Sequence, residues 1–407
     1  MISRPHPFLA LLLLQPSLAR AQGPLAEATA QLQAREAELV AFRHDVHRHP
    51  ELSGAEARTA GLVAERLRAL GFAVRMGVGG HGLVAVLHGA KPGPLVAFRA
   101  DMDAVPSAAP DPVAFASETP GVRHICGHDV HTTIGLAIAE ALAAARPELA
   151  GGVMLVFQPA EERATGARAM LADGVFRGEK PVAIYAVHTS PLEVGTLGTM
   201  AGGLMAGRDR LRVTIEGAGD VTGAAAAAER IVSAVNTVSP EEAMRSGPPD
   251  LVHVTGVTRR QLAPDTWEVT AGLSIADPGV RTRTRERLAR ELAALGRPDV
   301  RVGATYDAKL VAGVTNDSAL VRRANLAIAR TLGAGALVPI TRVPVPFSED
   351  FGSFQAQVPG VMWFLGVSNT AKGTRGMPHA PDYVADDGAI MVGARAMVAV
   401  ILDRMGG

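Results

Sequence analysis

The stretch Pro94–Asp103 reads PLVAFRADMD, a short apolar run that ends in two aspartates. Similar runs that predict strands occur at 83–88 (LVAVLH), 153–157 (VMLVF) and 182–187 (VAIYAV), and 131–145 (HTTIGLAIAEALAAA) predicts a helix between two of them. Strands that are apolar almost throughout are buried on both faces, and their alternation with helices favours parallel pairing. The sequence therefore predicts an α/β domain built on a mixed, largely parallel sheet.

The chain on either side of this core predicts one domain with an insertion. Residues 26–48 and 54–70 predict helices, and helix and strand signals resume from 316 to the end of the chain. In between, the region from 210 to 305 reads strand, helix, strand, strand, helix, strand, which is typical of the ferredoxin-like split unit. We therefore expect an α/β domain formed by 22–207 and 311–407, interrupted by a smaller α+β domain at 208–310.

Polar side chains follow three of the predicted strands. The first strand ends in Asp101 and Asp103, the second runs into Glu161 and Glu162, and the third ends at His188. Open α/β sheets build their sites at the carboxyl ends of their strands, so these groups are expected at one edge. The segment 124–131 (HICGHDVH), before the 131–145 helix, and the proline-braced segment 377–381 (MPHAP) could add further donors.

These residue types point to metal chemistry. A thiolate, imidazoles and carboxylates form a ligand set for zinc, manganese, cobalt or nickel. Of the two adjacent glutamates, one can bind metal while the other acts as a base. A metal lowers the pKa of its coordinated water to ~7. The base can take a proton from this water and then donate it to the leaving nitrogen. Taken singly, each residue has a structural reading: Cys126 as a small buried hydrophobe, the glutamates as helix-terminal acids. A serine nucleophile is disfavoured because the chain has no GxSxG elbow.

Composition excludes some partners. The 407 residues include 40 Lys+Arg and 40 Asp+Glu, so the formal net charge is zero. Nucleic-acid or anionic-membrane binding usually leaves a basic excess, and neither is expected here.

The N-terminus predicts export. MISRPHPFLALLLLQPSLARAQ has a basic residue, Arg4, then the apolar run from Phe8 to Leu14 and a small-x-small site at Ala19–Ala21. The apolar run is too short to span a bilayer, which takes ~20 residues. We expect residues 1–21 to be a signal peptide and the mature chain to be periplasmic or secreted; an uncleaved anchor or an unstructured start is the alternative.

Seven segments, in chain order, resemble those of binuclear metallo-amidohydrolases, the family of hippurate hydrolases, bacterial aminoacylases and carboxypeptidases, and plant indole-acetyl-amino-acid hydrolases. They are 45–56 (DVHRHPELSGAE), 98–106 (FRADMDAVP), 124–131 (HICGHDVH), 156–162 (VFQPAEE), 187–191 (VHTSP), 348–354 (SEDFGSF) and 377–384 (MPHAPDYV). The resemblance implies a zinc-exopeptidase-like α/β domain with an inserted lid that often forms a dimer interface. It also implies cleavage of the amide between an acyl group and an amino acid.

The resemblance carries over to individual residues. It implies two divalent ions per chain, zinc or manganese with cobalt or nickel as alternatives, and Glu161 as the catalytic acid/base. Asp103 matches an acid behind the ligands, and Asp101 and Asp129 lie in the same motifs with less defined roles. His124 and His131 are expected to support the site rather than bind metal. The implied metal ligands are Cys126, His128, Glu162, His188 and His379.

The predicted lid departs from the family pattern. Where the family carries a histidine that reaches the partner subunit's site, the turn 216–223 reads EGAGDVTG, without histidine. The turn 261–265 (QLAPD) lacks the family's asparagine, and the strand after it lacks the arginine that contributes to substrate binding. Two functions remain open: a secreted metal-dependent amidohydrolase acting on N-acyl amino acids or short peptides, or a metal-binding relative that serves as a binding or regulatory protein. Turnover on such substrates separates them.

Overall fold

The computed structural model describes residues 23–307, 311–345 and 347–406; the predicted signal peptide lies outside the described residues. Helices cover most of the N-terminal segment, the segment after 128 and the C-terminus. The α-helices are α1 (Pro24–Arg48), α2 (Ala57–Ala69), α3 (His128–Ala144), α4 (Gly166–Ala172), α5 (Val221–Ser233), α6 (Pro240–Met244), α7 (Pro278–Ala293), α8 (Ser318–Leu332), α9 (Gly352–Gln355) and α10 (Gly388–Met405).

The strands follow the predicted apolar runs closely. They are β1 (Ala73–Met76), β2 (Leu83–His88), β3 (Lys91–Asp101), β4 (Val105–Pro106), β5 (Val122–Arg123), β6 (Ala150–Gln158), β7 (Ile184–Glu193), β8 (Leu197–Thr199), β9 (Gly202–Met205), β10 (Gly207–Glu216), β11 (Ser246–Gly247), β12 (Val252–Ala263), β13 (Thr266–Ile275), β14 (Arg301–Tyr306), β15 (Val314–Asn316), β16 (Leu337–Pro339), β17 (Val343–Pro344) and β18 (Gly360–Ser368).

An eight-stranded sheet forms the larger domain, in the order β1-β2-β6-β3-β7-β18-β8-β16. Its centre, β6-β3-β7-β18, is parallel, while β2 and β8 run antiparallel to their inner neighbours. This confirms the mixed, largely parallel sheet. Because β6, β3 and β7 are adjacent and parallel, their carboxyl ends meet at one edge.

Helices cover both faces of this sheet. On one face α1, α3 and α10 pack together with the strands in the largest apolar core; on the other, α4 and α9 pack around Met170, Phe351 and Phe354. Nearly every residue of α3 is buried, which explains why its sequence is apolar on all sides. No helix in the described part of the chain combines the length and apolarity that a membrane span requires.

The inserted region, which we call the lid, has its own antiparallel sheet in the order β12-β13-β10-β14. Taken in chain order this is second, third, first, fourth, the arrangement of the ferredoxin-like unit that the strand and helix order predicts. Helices α5 and α7 cover one face, and their apolar residues form a separate core with Leu211, Val213 and Ile215. The predicted lid start at 208 falls at the beginning of β10, and the predicted end at 310 lies outside the described residues.

A short ladder joins the lid to the larger domain. Lid strand β11 pairs antiparallel with β17, which precedes the 348–354 segment, and matches Ser246 with Pro344 and Gly247 with Val343. The ladder holds the end of α6 against the larger domain, beside the strand edge described above.

Candidate metal centre

Strand ends and one helix start bring the predicted donors together. Asp101 closes β3, Glu161 and Glu162 follow β6, and His188 lies within β7. The predicted helix at 131–145 in fact begins at His128, so the second half of the 124–131 segment is the first turn of α3.

The early start of α3 depends on Gly127. This residue has φ +86°, a left-handed conformation that glycine adopts without strain. A Cβ at this position would lie 2.2 Å from the Tyr383 hydroxyl and 2.6 Å from a Thr189 methyl. Glycine therefore lets the loop turn sharply between the Cys126 thiol and the fully buried His128 ring.

The five predicted metal ligands lie within reach of one another. The Cys126 thiol is 3.6 Å from Nε2 of His188, and Nε2 of His379 is 3.2 Å from Oε1 of Glu162. Nε2 of His128 lies 3.9 Å from the same Glu162 oxygen. Donor atoms within 4.8 Å of one another form overlapping groups, among them Cys126–His128–His188, Cys126–Glu162–His379 and His128–Glu161–Glu162.

Two of these atoms are buried without a hydrogen-bond partner among the described residues: Nε2 of His128 and Oε1 of Glu162. Both atoms do have polar neighbours: Oε1 of Glu162 forms an ion pair with Nε2 of His379 at 3.2 Å, and Nε2 of His128 lies 3.6 Å from Oδ2 of Asp101. Sulfur, imidazole nitrogen and carboxylate oxygen at these separations fit divalent metal ions.

Asp103 holds several parts of the site in place. Its carboxylate accepts hydrogen bonds from the backbone amides of Glu161 and Glu162, at 3.2 and 3.0 Å, and from the Ser53 hydroxyl at 2.5 Å. It also lies 3.2 Å from Nδ1 of His128, and the other ring nitrogen lies among the carboxylates of Asp101, Glu162 and Glu161, at 3.6, 3.9 and 4.0 Å. Carboxylates behind metal-binding imidazoles commonly fix the ring and its tautomer in this way.

Asp101 and His131 form a second support. Nδ1 of His131 lies 2.6 Å from the Asp101 carboxylate, and its Nε2 accepts the backbone amide of Thr189 at 2.8 Å. Both ring nitrogens of His131 therefore have a partner within the protein, and its role as a supporting group stays a prediction.

Asp129 lies elsewhere. Its carboxylate contacts Arg43 Nε and His47 Nδ1, both at 2.9 Å, and not the donor cluster. His47 also bonds Asp111, and Arg43 continues to Asp387. This buried network ties α1 to the first turn of α3, so Asp129 anchors the helix that carries His128.

His124 is also buried, and its two ring nitrogens have no hydrogen-bond partner among the described residues.

A buried ionic group that was not predicted from the sequence lies beneath the donors. The Arg99 guanidinium contacts Asp101 at 2.7 Å and Glu349 at 2.8 Å, and all three side chains are fully buried. The neighbouring Asp350 accepts from Gln158 at 2.7 Å. The available signal was an arginine within an otherwise apolar strand, because a buried arginine requires acidic partners.

The site's electrostatics follow from burial among acids. Burial, reinforced by Glu349 and Glu162, raises the pKa of Glu161 well above its usual range, and burial with Glu162 and Glu161 does the same for the Cys126 thiol. Burial opposes the charging of His128, but Asp101 and Asp103 outweigh it and raise its pKa to about 10. Burial and the nearby His131 lower the pKa of His188 to about 3, so this ring is neutral. A cation among the donors would favour the thiolate and carboxylate forms.

Backbone strain also concentrates here. Among the described residues, the non-glycine residues with positive φ are Ala160, Ala164 and His379. The alanines flank the glutamate pair, and His379 is itself a predicted ligand, held by its amide on the Ile125 carbonyl at 2.8 Å. Strained backbone of this kind typically persists where function requires it.

A cavity of about 670 Å³ opens onto the donors. Cys126, Glu161, Glu162, His188 and His379 form its floor, and apolar side chains dominate the remaining walls, including Leu192, Met244, Phe347 and Phe364. A groove of about 750 Å³ beside the start of α1 contains none of the donors, so the cavity above them is the candidate substrate site.

Comparisons with known proteins show which family the chain resembles. A family model described as Peptidase family M20/M25/M40 matches residues 97–403. The chain is 31% identical over 374 residues to thermostable carboxypeptidase 2 of Saccharolobus solfataricus, covering 88% of this chain and 93% of the relative. It is 32% identical over 388 residues to the N-acetylcysteine deacetylase of Bacillus subtilis, covering 89% and 96% respectively.

Among solved structures, the Bacillus subtilis YXEP protein, described as a dinuclear metal-binding peptidase of the M20 family, superimposes with a TM-score of 0.75. It shares 29% sequence identity, and the match covers 92% of this chain and 99% of the YXEP chain.

Proposed function

The chain belongs to peptidase family M20/M25/M40, whose members hydrolyse amide or peptide bonds, and we propose that it cleaves N-acyl amino acids or short peptides with Glu161 as the base. One observation supports this most directly. The Glu161 carboxylate lies 4.0 Å from Nε2 of His128, beside a cluster of thiol, imidazole and carboxylate donors on the floor of a largely apolar cavity.

We propose that Cys126, His128, Glu162, His188 and His379 hold two divalent ions. When bound, such ions polarise a scissile carbonyl and acidify a water molecule. Nε2 of His128 and Oε1 of Glu162, both buried without a hydrogen-bond partner among the described residues, support these two residues as ligands, and the YXEP relative, described as dinuclear, supports a count of two ions. Asp103 keeps the two glutamates and His128 in fixed relative positions through its hydrogen bonds.

Glu161 then moves the proton. Its carboxylate takes a proton from the attacking water and later delivers it to the leaving nitrogen.

Turnover by the metal-reconstituted protein tests this proposal. A panel of N-acyl amino acids and dipeptides, assayed with zinc or manganese, should show hydrolysis that EDTA abolishes and added metal restores. Hydrolysis that is unchanged by EDTA, or absent across the panel, would contradict it.

Export is a separate part of the proposal. The basic, apolar and small-residue pattern of 1–21 supports cleavage after Ala21 and a periplasmic or secreted enzyme. N-terminal sequencing of protein from its native host decides this: a chain that begins at Gln22 supports export, and one that begins at Met1 in the cytoplasm refutes it.

A homodimer through the lid is proposed on the resemblance alone. Light scattering of the purified protein should give twice the mass of a single mature chain. Removing the lid contact by substitution should return the single-chain mass.

A further inference from the structure

Two arginines stand at the rim of the substrate cavity, one at each end of the β11–β17 ladder. Arg245 immediately precedes β11, and Arg342 immediately precedes β17. The backbone fixes both positions, because the Arg245 carbonyl accepts the amide of Val345 and the strands pair in register. The larger domain and the lid thus each place a guanidinium over the cavity.

Apart from the groups of the candidate metal centre, these arginines are the charged side chains that the structure places along the cavity wall within the described residues. The surrounding wall includes Met244, Ile340 and Phe364. Such a lining fits a ligand that is largely apolar and carries one anionic group. Guanidinium groups bind carboxylates through two parallel hydrogen bonds, so a carboxylate is the matching anion.

Arg342 is the better-positioned of the two. One terminal nitrogen, Nη2, donates to the Ser246 carbonyl at 2.7 Å and lies 3.5 Å from Glu242. Among the described residues, its other guanidinium nitrogens have no hydrogen-bond partner, so they are free to donate into the cavity. The Arg245 side chain is 77% exposed and forms an ion pair with Glu241 at 3.6 Å, whereas that of Arg342 is 52% exposed.

We propose that Arg342 binds the free carboxylate of the substrate's amino-acid part and thereby selects N-acyl amino acids over their neutral amides. This rests on the proposed function and names the group that recognises the substrate. It also accounts for the lid sequence, since β13 (TWEVTAGLSI) carries no arginine for this purpose. The loop before the 348–354 segment supplies the cation instead.

Glu242 affects the strength of carboxylate binding at Arg342. Its carboxylate is near Arg342, where it offsets part of the positive charge, and it also completes a capping box with Ser239 at the start of α6. A glutamine at this position keeps the capping box but removes the negative charge. Glu242→Gln should therefore strengthen carboxylate binding without disturbing the helix.

The test compares N-acetyl-L-methionine with N-acetyl-L-methioninamide, which release the same acetate and differ only in the carboxylate. The parent enzyme should prefer the acid. Arg342→Gln should lower kcat/KM for the acid by about 10-fold or more, mainly through KM, and leave the amide within about twofold. Arg342→Lys should recover part of the loss, and Glu242→Gln should lower KM for the acid.

Arg245→Gln is the matched control, because it removes the same charge from the same rim. It should change the acid-to-amide preference by less than Arg342→Gln does. A larger effect at Arg245, or equal loss on acid and amide in Arg342→Gln, would overturn the assignment. Equal parent activity on both substrates would also overturn it while leaving the proposed hydrolase function intact.

Absence of turnover on either substrate and on the wider panel would instead reject the proposed function. The carboxylate site is then tested by calorimetry with ketomethylene analogues of the acid and the amide, in which CH₂ replaces the scissile NH. Tighter binding of the acid that is lost in Arg342→Gln supports the site, and equal binding of both analogues refutes it.

Discussion

Nδ1 of His128 lies 3.2 Å from Oδ1 of Asp103, and this contact orients the histidine ring. The opposite nitrogen lies 3.6 Å from the Asp101 carboxylate and 3.9 Å from the Glu162 carboxylate, and it has no hydrogen-bond partner among the described residues. Because Asp103 also accepts the backbone amides of both glutamates, one buried side chain sets the spacing between the base and the ligands. The predictions below separate these roles.

Removing the Cys126 thiol should lower the metal content of the protein and leave its fold intact. Cys126 is buried and small, so Cys126→Ala leaves only a small cavity. Metal content should fall from about two ions per chain towards one, as one ion loses its sulfur ligand. Elemental analysis measures this, with circular dichroism to show that the fold is retained.

Ser190→Ala is a suitable control, because it shortens another buried side chain of the cavity wall without removing a predicted ligand. It should keep both ions. Full metal occupancy in Cys126→Ala would show that the thiol is not a ligand.

Substitutions of the two adjacent glutamates should affect different properties, turnover for Glu161 and metal content for Glu162. Glu161→Gln keeps the side chain's shape and removes the base, so turnover should fall by ~10² or more at unchanged metal content. Glu162→Gln weakens a carboxylate that lies between His379 and His128, so this variant should lose metal first. Measuring kcat and bound metal for both variants gives the answer; reversed behaviour would exchange the two roles.

The sequence predicts the strands and their polar ends well, because an apolar run and the acids that follow it are local features. Asp101, Glu161 and His188 could be assigned to one edge once parallel pairing was inferred. The strand and helix order likewise predicts the lid's sheet. What the sequence could not give are contacts between distant segments, such as Arg99 with Glu349.

The position of Arg342 at the cavity rim also depends on a contact between distant segments that the sequence could not predict. Arg342 reaches the substrate site only because β17 pairs with β11, about 100 residues earlier in the chain. Both strands are two residues long and carry no periodic signal. Asp129 is the opposite case, because it is next to the predicted ligand His128 in the sequence but lies outside the donor cluster. Consecutive residues on a helix face different sides, so the Asp129 carboxylate contacts Arg43 instead.

Acid should weaken the packing of α7 against β10 within the lid. Asp209 on β10 accepts from Arg285 at 2.7 Å and also pairs with Arg281, which donates to the Ala312 carbonyl. Burial disfavours the charged carboxylate, but the two arginines outweigh it and lower the pKa of Asp209 below 3.8. The ion pairs therefore stabilise the fold fully above pH ~4 and lose this contribution as the pH falls through the lowered pKa.

Asp209→Asn should lower Tm at pH 7 by about 2–4 °C and by less at pH 3. Thermal unfolding of both proteins in EDTA measures this without a contribution from metal loss. An equal difference in Tm at the two pH values would mean that the carboxylate charge does not stabilise the lid.

The lid turn offers the last test, because the family resemblance places a histidine there and this chain has none. Of the two nearest positions, Val221 is buried in the lid core, whereas Asp220 is exposed and caps α5 by accepting the Gly223 amide at 2.8 Å. Only Asp220 can therefore carry an imidazole towards a neighbouring site, at the cost of the cap, about 1 kcal/mol of stability.

A donor to the oxyanion of an amide's tetrahedral intermediate is typically worth ~10²–10³ in rate, so the parent enzyme should be slow on a simple substrate such as benzoyl-glycine. Asp220→His should raise kcat/KM on that substrate by about 10-fold if the lid reaches a partner's site. Asp220→Asn is the matched control, because asparagine preserves the cap and removes the charge without adding an imidazole. Equal rates for the parent and both variants would show that this turn does not reach a reacting substrate.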